Sequence, residues 1–215
     1  MKVARISQVQ ADSLMEPLSQ NWKHAEPIGV PLSPTPLGMQ PTKAIRANWE
    51  NKKYGLIENA TVAALHDGEN VFLKVTWEDA HKDDEVKDND GFVDKMALML
   101  PLTSQSSFIT MGSMTDPVEL WRWSADSADI LQIQAKGIGT TENVQNDPIT
   151  GNAQWLDGVW HVVLQRKMMT KSSNSADFIA GGKQKCGLAI WAGHNQERAG
   201  IKSIAMRWIE MDLAT

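Results

Sequence analysis

"ATVAALHDGENVFLKVTWED", residues 60 to 79, is the stretch that decides the fold. Val71, Leu73, Val75 and Trp77 alternate with Phe72, Lys74 and Thr76. That is the two-residue period of a strand, whose side chains point in turn to opposite faces. A second run precedes it, and Asp67-Gly68 separates the two. Such a pair readily takes the backbone conformation of a tight turn, so the segment reads as a β-hairpin.

The same pattern recurs outward. "DKMALMLPL", "VELWRWSA", "DILQIQAKG", "GVWHVVLQRKM", "CGLAIWAG" and "IKSIAMRWIEMDL" are short strand candidates separated mostly by Gly, Asn, Asp or Pro. Few segments show a 3.6-residue period. The expected fold is therefore mainly all-β, an antiparallel β-sandwich with long loops and a few short helices. The connections at 101–117 and 137–154 are long for hairpins and are expected to carry short helices or line a site. Pro17, Pro27, Pro31, Pro34, Pro36 and Pro41 crowd the start of the chain. Proline withholds a backbone donor, which predicts an extended arm over residues 1–42 and a domain over 43–215.

The composition removes several functions. A net charge of −5 argues against nucleic acid as a partner, because phosphate binding needs clustered Lys and Arg. The single cysteine, Cys186, forbids an intrachain disulfide, a CxxCH attachment and a thiolate metal cage, and is expected to be buried and inert. No run approaches the ~18 apolar residues of a membrane span, and "MKVARISQVQADSLMEPLSQ" lacks a signal-peptide core. His24, His66, His81, His161 and His194 show no metalloenzyme spacing, and no GxSxG or phosphate-cradling glycine motif occurs. His161, between Val159 and Val163, reads as a satisfied strand histidine. "HKDDEVKDNDG" is a solvated loop without calcium-ligand spacing. No catalytic residue is expected.

Two features stand out against this background. Nine Trp accompany one Tyr, and Met is abundant at 11. In "FITMGSMTDPVELWRW", residues 108 to 123, Met111 and Met114 precede Trp121 and Trp123. Thioethers and indoles fill cores, but a thioether is also a soft, uncharged ligand that suits haem iron. Near the end, alternation places Lys202 in phase with Ile204, Met206 and Trp208. Such a lysine either snorkels outward or turns inward, where burial favours a neutral amine able to bind a metal. Those residues alone do not pair a methionine with Lys202.

The order and spacing of "DKMALMLPL", "FITMGSM", "VELWRW", "WLDGVWHVVLQRKM" and "LAIWAGHNQERAGIKSIAMRW" resemble a known group. They are similar to the haem-b-binding γ subunits of molybdenum dehydrogenases of the dimethyl-sulfoxide-reductase superfamily, most of all the ethylbenzene dehydrogenase type. The resemblance covers about residues 43 to 213 and implies a β-sandwich. It implies one non-covalent haem b held between Met111 and Lys202, with Met114 and Lys185 as competitors. Trp121, Trp123 and Trp208 would either line the ring or fill the core, and on charge alone Arg166 and Arg198 would face its propionates. The implied role is non-catalytic electron transfer in a periplasmic complex for anaerobic hydrocarbon hydroxylation. Electrons would pass from a molybdenum-cofactor subunit through an iron–sulfur subunit to this haem, then to a soluble c-type cytochrome. With no signal core in this sequence, export beside a partner is expected. Two rivals are a Trp-rich ligand- or carbohydrate-binding sandwich without a redox cofactor, which needs exposed coplanar tryptophans, and a purely structural clamp.

Overall fold

The computed structural model describes residues 1–7, 11–86, 91–144 and 147–215. Its strands, in chain order, begin with β1 (Lys2–Arg5), β2 (Ile28–Pro34), β3 (Asn59–His66), β4 (Asn70–Glu78), β5 (Lys95–Pro101) and β6 (Val118–Ser124). They continue with β7 (Leu131–Ala135), β8 (Glu142–Asn143), β9 (Thr150–Leu156), β10 (Val159–Lys167), β11 (Lys183–Trp191), β12 (Ser203–Ala205) and β13 (Ile209–Leu213). Among the described residues the two α-helices, α1 (Ala11–Met15) and α2 (Lys43–Trp49), are short. The main β expectation holds.

The hairpin forms where alternation predicts it, with Leu65 opposite Phe72 and Ala64 opposite Leu73. Its turn is fastened by the Asp67 carboxylate, which accepts the N–H groups of Glu69 at 2.8 Å and Asn70 at 2.6 Å. Gly68 takes φ +96°, a conformation that favours glycine. Strands in the order β9-β10-β4-β3-β2 form one layer, and β8-β7-β6-β5-β11-β12 the other. Val71, Leu73, Val75 and Trp77 face inward and meet Met96, Leu98, Leu100, Trp121 and Trp123 of the opposite layer. On the outer side of the first layer, Phe72 joins Leu65 and Val163 under Leu14 of α1 and Trp22.

The proline-rich segment departs from a simple arm. Residues 28–31 of β2 pair with β3, and residues 32–34 pair with β12. The strand thus crosses from one layer to the other, and each half uses mainly one hydrogen-bonding edge. That is how Pro31 and Pro34 are tolerated in a strand with two neighbours. β1 bridges in the same way, pairing with β13 through Lys2 and Val3 and with β3 through Ala4 and Arg5. In the connection after 137, β9 was not anticipated; its exposed, polar residues carry too weak a period. His161 also differs from expectation, because its Nδ1 is buried without a partner.

One charged pair lies within the core. Arg166 Nη1 donates to Glu119 Oε1 at 2.7 Å, and both side chains are fully buried. The same oxygen accepts from Trp121 Nε1 and Gln132 Nε2, each at 2.8 Å, while Oε2 accepts the Ala176 N–H at 2.7 Å. The guanidinium also donates to the Ala176 carbonyl and lies 4.8 Å from the Trp121 ring centre. Buried charges persist only when their hydrogen-bonding capacity is met in this manner.

Candidate functional site

The face that carries the site is the outer side of the second layer. Antiparallel register sets Arg122, Ala97, Ala189 and Ile204 in one row across β6, β5, β11 and β12. Directly opposed residues share a face, so these four point outward together. Two residues along, Lys95 lies opposite Trp191, and the same register brings Lys202 beside Trp191. In the other direction the outward residues are Leu120, Met99 and Gly187. The row containing the two alanines therefore separates a lysine end from an apolar end.

Met111 belongs to the apolar end. It packs with Phe108 and Trp208 against Met99, Val118, Leu120, Ile133 and Ala135. The Phe108 and Trp208 rings meet edge to face at 5.1 Å. Glycine at 187 lets Phe108 lie on the sheet, since a Cβ there would come within 2.8 Å of its ring. Met111 itself has φ 57°, an uncommon conformation for a residue with a side chain. Its loop is braced on several sides. Asp116 accepts the Thr103 hydroxyl at 2.7 Å, the Gly112 N–H reaches Ser107 O at 2.8 Å, and Met111 O accepts from Gly137 at 3.1 Å. Gly112 cannot carry a side chain, because a Cβ would lie 2.8 Å from Asp116 O. Strain held by so many bonds is characteristic of functional loops.

Lys202 occupies the other end. Its carbonyl is held by the Thr35 N–H at 3.0 Å, so the crossing strand positions it. The residue is only partly covered overall, yet its Nζ is drawn in 4.7 Å above the Trp191 ring. No hydrogen bond or ion pair with another described residue holds that ammonium. Burial pushes its pKa down to about 8. The folded chain consequently binds fewer protons here than the unfolded chain between about 8 and the usual 10.5. Stability should rise with pH across that window, by at most roughly 3 kcal/mol. Urea denaturation against pH, compared with Lys202→Met, isolates this contribution; equal pH slopes in the two proteins would contradict it.

The remaining expected residues sort clearly. Trp208 lies in the Met111 cluster, whereas Trp121 and Trp123 point to the opposite side, into the core between the layers. Met114 is 76% exposed. Lys185 is exposed and lies 3.8 Å from Glu210. Arg166 is buried with Glu119 and unavailable to a surface anion, which corrects its expected propionate role. Arg198 lies over the Phe92 ring at 4.5 Å. Cys186 is fully buried, and burial pushes its thiol up to about 12, as expected of an inert cysteine.

Two cations on this face were not anticipated. Arg122 has a buried Nε without a partner. Lys95 has its pKa lowered by burial, with Asp126 opposing the shift and Arg122 adding to it. The signal was present in "LWRW", where alternation puts Arg122 on the side away from both tryptophans. Two surface concavities, one beside Tyr54 and Gly55 and one beside Trp155 and Trp160, include neither Met111 nor Lys202.

Comparison with known proteins adds an independent line. The sequence model of the family described as ethylbenzene dehydrogenase matches residues 19–148 and 135–203. ORF7 of Haloferax mediterranei, provisionally named a respiratory nitrate reductase heme subunit, is 27% identical over 90% of this chain and 67% of its own. The chlorate reductase γ subunit of Ideonella dechloratans is 30% identical over 66% of this chain. The dimethylsulfide dehydrogenase γ subunit of Rhodovulum sulfidophilum is 23% identical over 71% of it. The match spans 59% of each of these two relatives. Among solved structures, a family 9 carbohydrate binding module from Caldicellulosiruptor kristjanssonii, bound to glucose, gives a TM-score of 0.53 over 99% of this chain and 94% of that one at 11% identity. A provisionally named carbohydrate-binding protein from Bacteroides uniformis gives 0.57 over 99% and 98% at 9%. At such identities the likeness concerns the fold alone.

Proposed function

The chain belongs to the ethylbenzene dehydrogenase family, and from that premise we propose that it is the electron-transfer γ subunit of a molybdenum oxidoreductase complex. In this reading one non-covalent haem b is held between Met111 and Lys202. The observation that carries it is the Lys202 amine, drawn over Trp191 without a polar partner on the face that also bears the braced Met111. A withdrawn amine with a lowered pKa has its lone pair within reach of neutral pH, and a metal ion is the partner it lacks. The name of the Haloferax relative, a heme subunit, supports the same cofactor.

The bound haem would supply reversible one-electron storage. The chain's own residues set the conditions for it. The Met111 thioether and the neutral Lys202 amine, both uncharged, would hold its iron. Ala97 and Ala189 leave the intervening row low, Phe108 and Trp208 exclude water at the methionine end, and Arg122 and Lys95 offer positive charge to propionates. Electrons would arrive from an iron–sulfur subunit fed by a molybdenum-cofactor catalytic subunit and leave to a soluble c-type cytochrome. We place the complex in the periplasm and its substrate in the ethylbenzene class, following the family. Among the described residues, no helix is long and apolar enough to cross a membrane.

The carbohydrate-binding reading shares the fold but lacks its aromatic platform. Seven of the nine tryptophans are buried, and Trp155 and Trp208 are partly buried, so none falls among the exposed residues. The deciding experiment is an absorption spectrum of purified protein, oxidised and reduced, with a pyridine haemochrome assay. One b-type haem per chain is the expected result. Protein that stays colourless after haem supplementation and copurification with its partners would remove the proposal.

A further inference from the structure

Just past Trp191, the turn after β11 meets the β4–β5 loop, and three metal-ligating side chains come together there. They are Asp79, His81 and His194, each offering one ligand atom within 4.8 Å of the others. His194 Nδ1 lies 3.7 Å from Asp79 Oδ1 and 3.5 Å from Asp83 Oδ2. The two imidazoles stack with 4.2 Å between centroids.

The cluster rests on a fixed frame. Asp79 follows β4 directly, donates its N–H to Gly158 O at 2.8 Å, and has a side chain 1% exposed. Its Oδ1 accepts the His81 N–H at 3.1 Å, while its Oδ2 is buried and meets no donor. A buried carboxylate oxygen without a donor is destabilising by roughly 1–3 kcal/mol or more. The turn bearing His194 is equally well held. Asp94 Oδ1 accepts the Gly193 N–H at 2.9 Å, and Asp83 Oδ2 accepts the His194 N–H at 2.8 Å.

We propose that Asp79, His81 and His194 bind one divalent transition-metal ion of the zinc class, with Asp83 as the nearest fourth donor. Two imidazole nitrogens and a carboxylate suit zinc, whereas calcium and magnesium prefer oxygen-only shells. Bonds of about 2.0–2.2 Å place tetrahedral ligand atoms roughly 3.3–3.6 Å apart. The spacing from His194 to both carboxylates is already close to this, and small rotations of the exposed His81 and the partly covered His194 ring complete it around a stationary Asp79. The ion would join the β4–β5 loop to the turn three residues beyond Trp191, the ring on which Lys202 rests. Its role is structural, and it depends on no occupant of the Met111–Lys202 face.

The test uses the full, tag-free protein, stripped with chelator and titrated with zinc chloride by calorimetry, with thermal unfolding followed in parallel. Saturable binding of about one zinc per chain and a raised Tm are expected. His81→Ala and His194→Ala should each weaken binding at least tenfold and abolish the Tm rise. Both positions are exposed, so circular dichroism and haem content should stay unchanged. Absence of saturable zinc binding would overturn the site, as would zinc binding that survives both substitutions. A stabilisation by calcium chloride that zinc does not reproduce would overturn the metal class.

Discussion

Lys202→Ala is expected to lower haem content at least tenfold, or to leave a b-type spectrum visibly altered, without unfolding the protein. The reason is local. The amine has no polar partner among the described residues whose loss would destabilise the fold, and truncation removes a partly covered charge that burial disfavours. Lys202→Arg is the sharper control, since a guanidinium keeps charge and bulk but does not release a proton near neutral pH and cannot supply a lone pair. It should fail like alanine. Met111→Ala should act at the other end of the same site, whereas Met114→Ala, on a side chain 76% exposed, should leave the spectrum alone. Haem content by pyridine haemochrome and visible spectra read all four variants. If Lys202→Ala and Met111→Ala both kept wild-type haem and spectrum, the ligand assignment would be wrong even with the cofactor present.

Glu119→Ala is the second large effect, and it concerns stability. Removing the carboxylate leaves a fully buried guanidinium without its counter-ion. Breaking a buried pair in this way costs about 3–5 kcal/mol. It also strands the donors on Trp121 and Ala176 that converge on the same group. Against a total stability of about 5–15 kcal/mol, that loss should move the urea midpoint far down. Replacing both members, with Glu119→Leu and Arg166→Met, should recover much of the loss, because the penalty lies in the unpaired charge. A single-variant loss below about 1 kcal/mol would show that water reaches the pair.

Much of the architecture was legible because two-residue alternation reports burial directly. Val71, Leu73, Val75 and Trp77 announced an inner face, and they line the core. β9 announced little, since its partly exposed residues mix Thr, Gly, Asn and Gln. β2 was hidden by Pro31 and Pro34, which argue against a strand with neighbours on both edges. What makes it possible is the change of partner midway, set by tertiary structure and invisible locally. At the site, Met111 and Lys202 were reached through resemblance and chemistry, and the layers bring both to one side. Trp121 and Trp123 were expected either around the ring or in the core, and alternation already set them on the opposite side from Arg122. His81 and His194 lie far apart in sequence with no recognisable spacing, so only the meeting of two loops joins them.

The crossing strand has a consequence for the order of events during synthesis. β2 finds half its partners in β3, a short distance along the chain, and the other half in β12, where Thr35 and Lys202 are 167 residues apart. Loops of that span close slowly, because chain entropy must be surrendered before any contact rewards it. The first layer can therefore assemble while the ribosome is still working, but the clasp between layers must wait. Lys202 sits at that clasp, its carbonyl held by Thr35. Any cofactor that Lys202 holds, as proposed above, can be gripped only after translation has passed β12, which would make its insertion a late step.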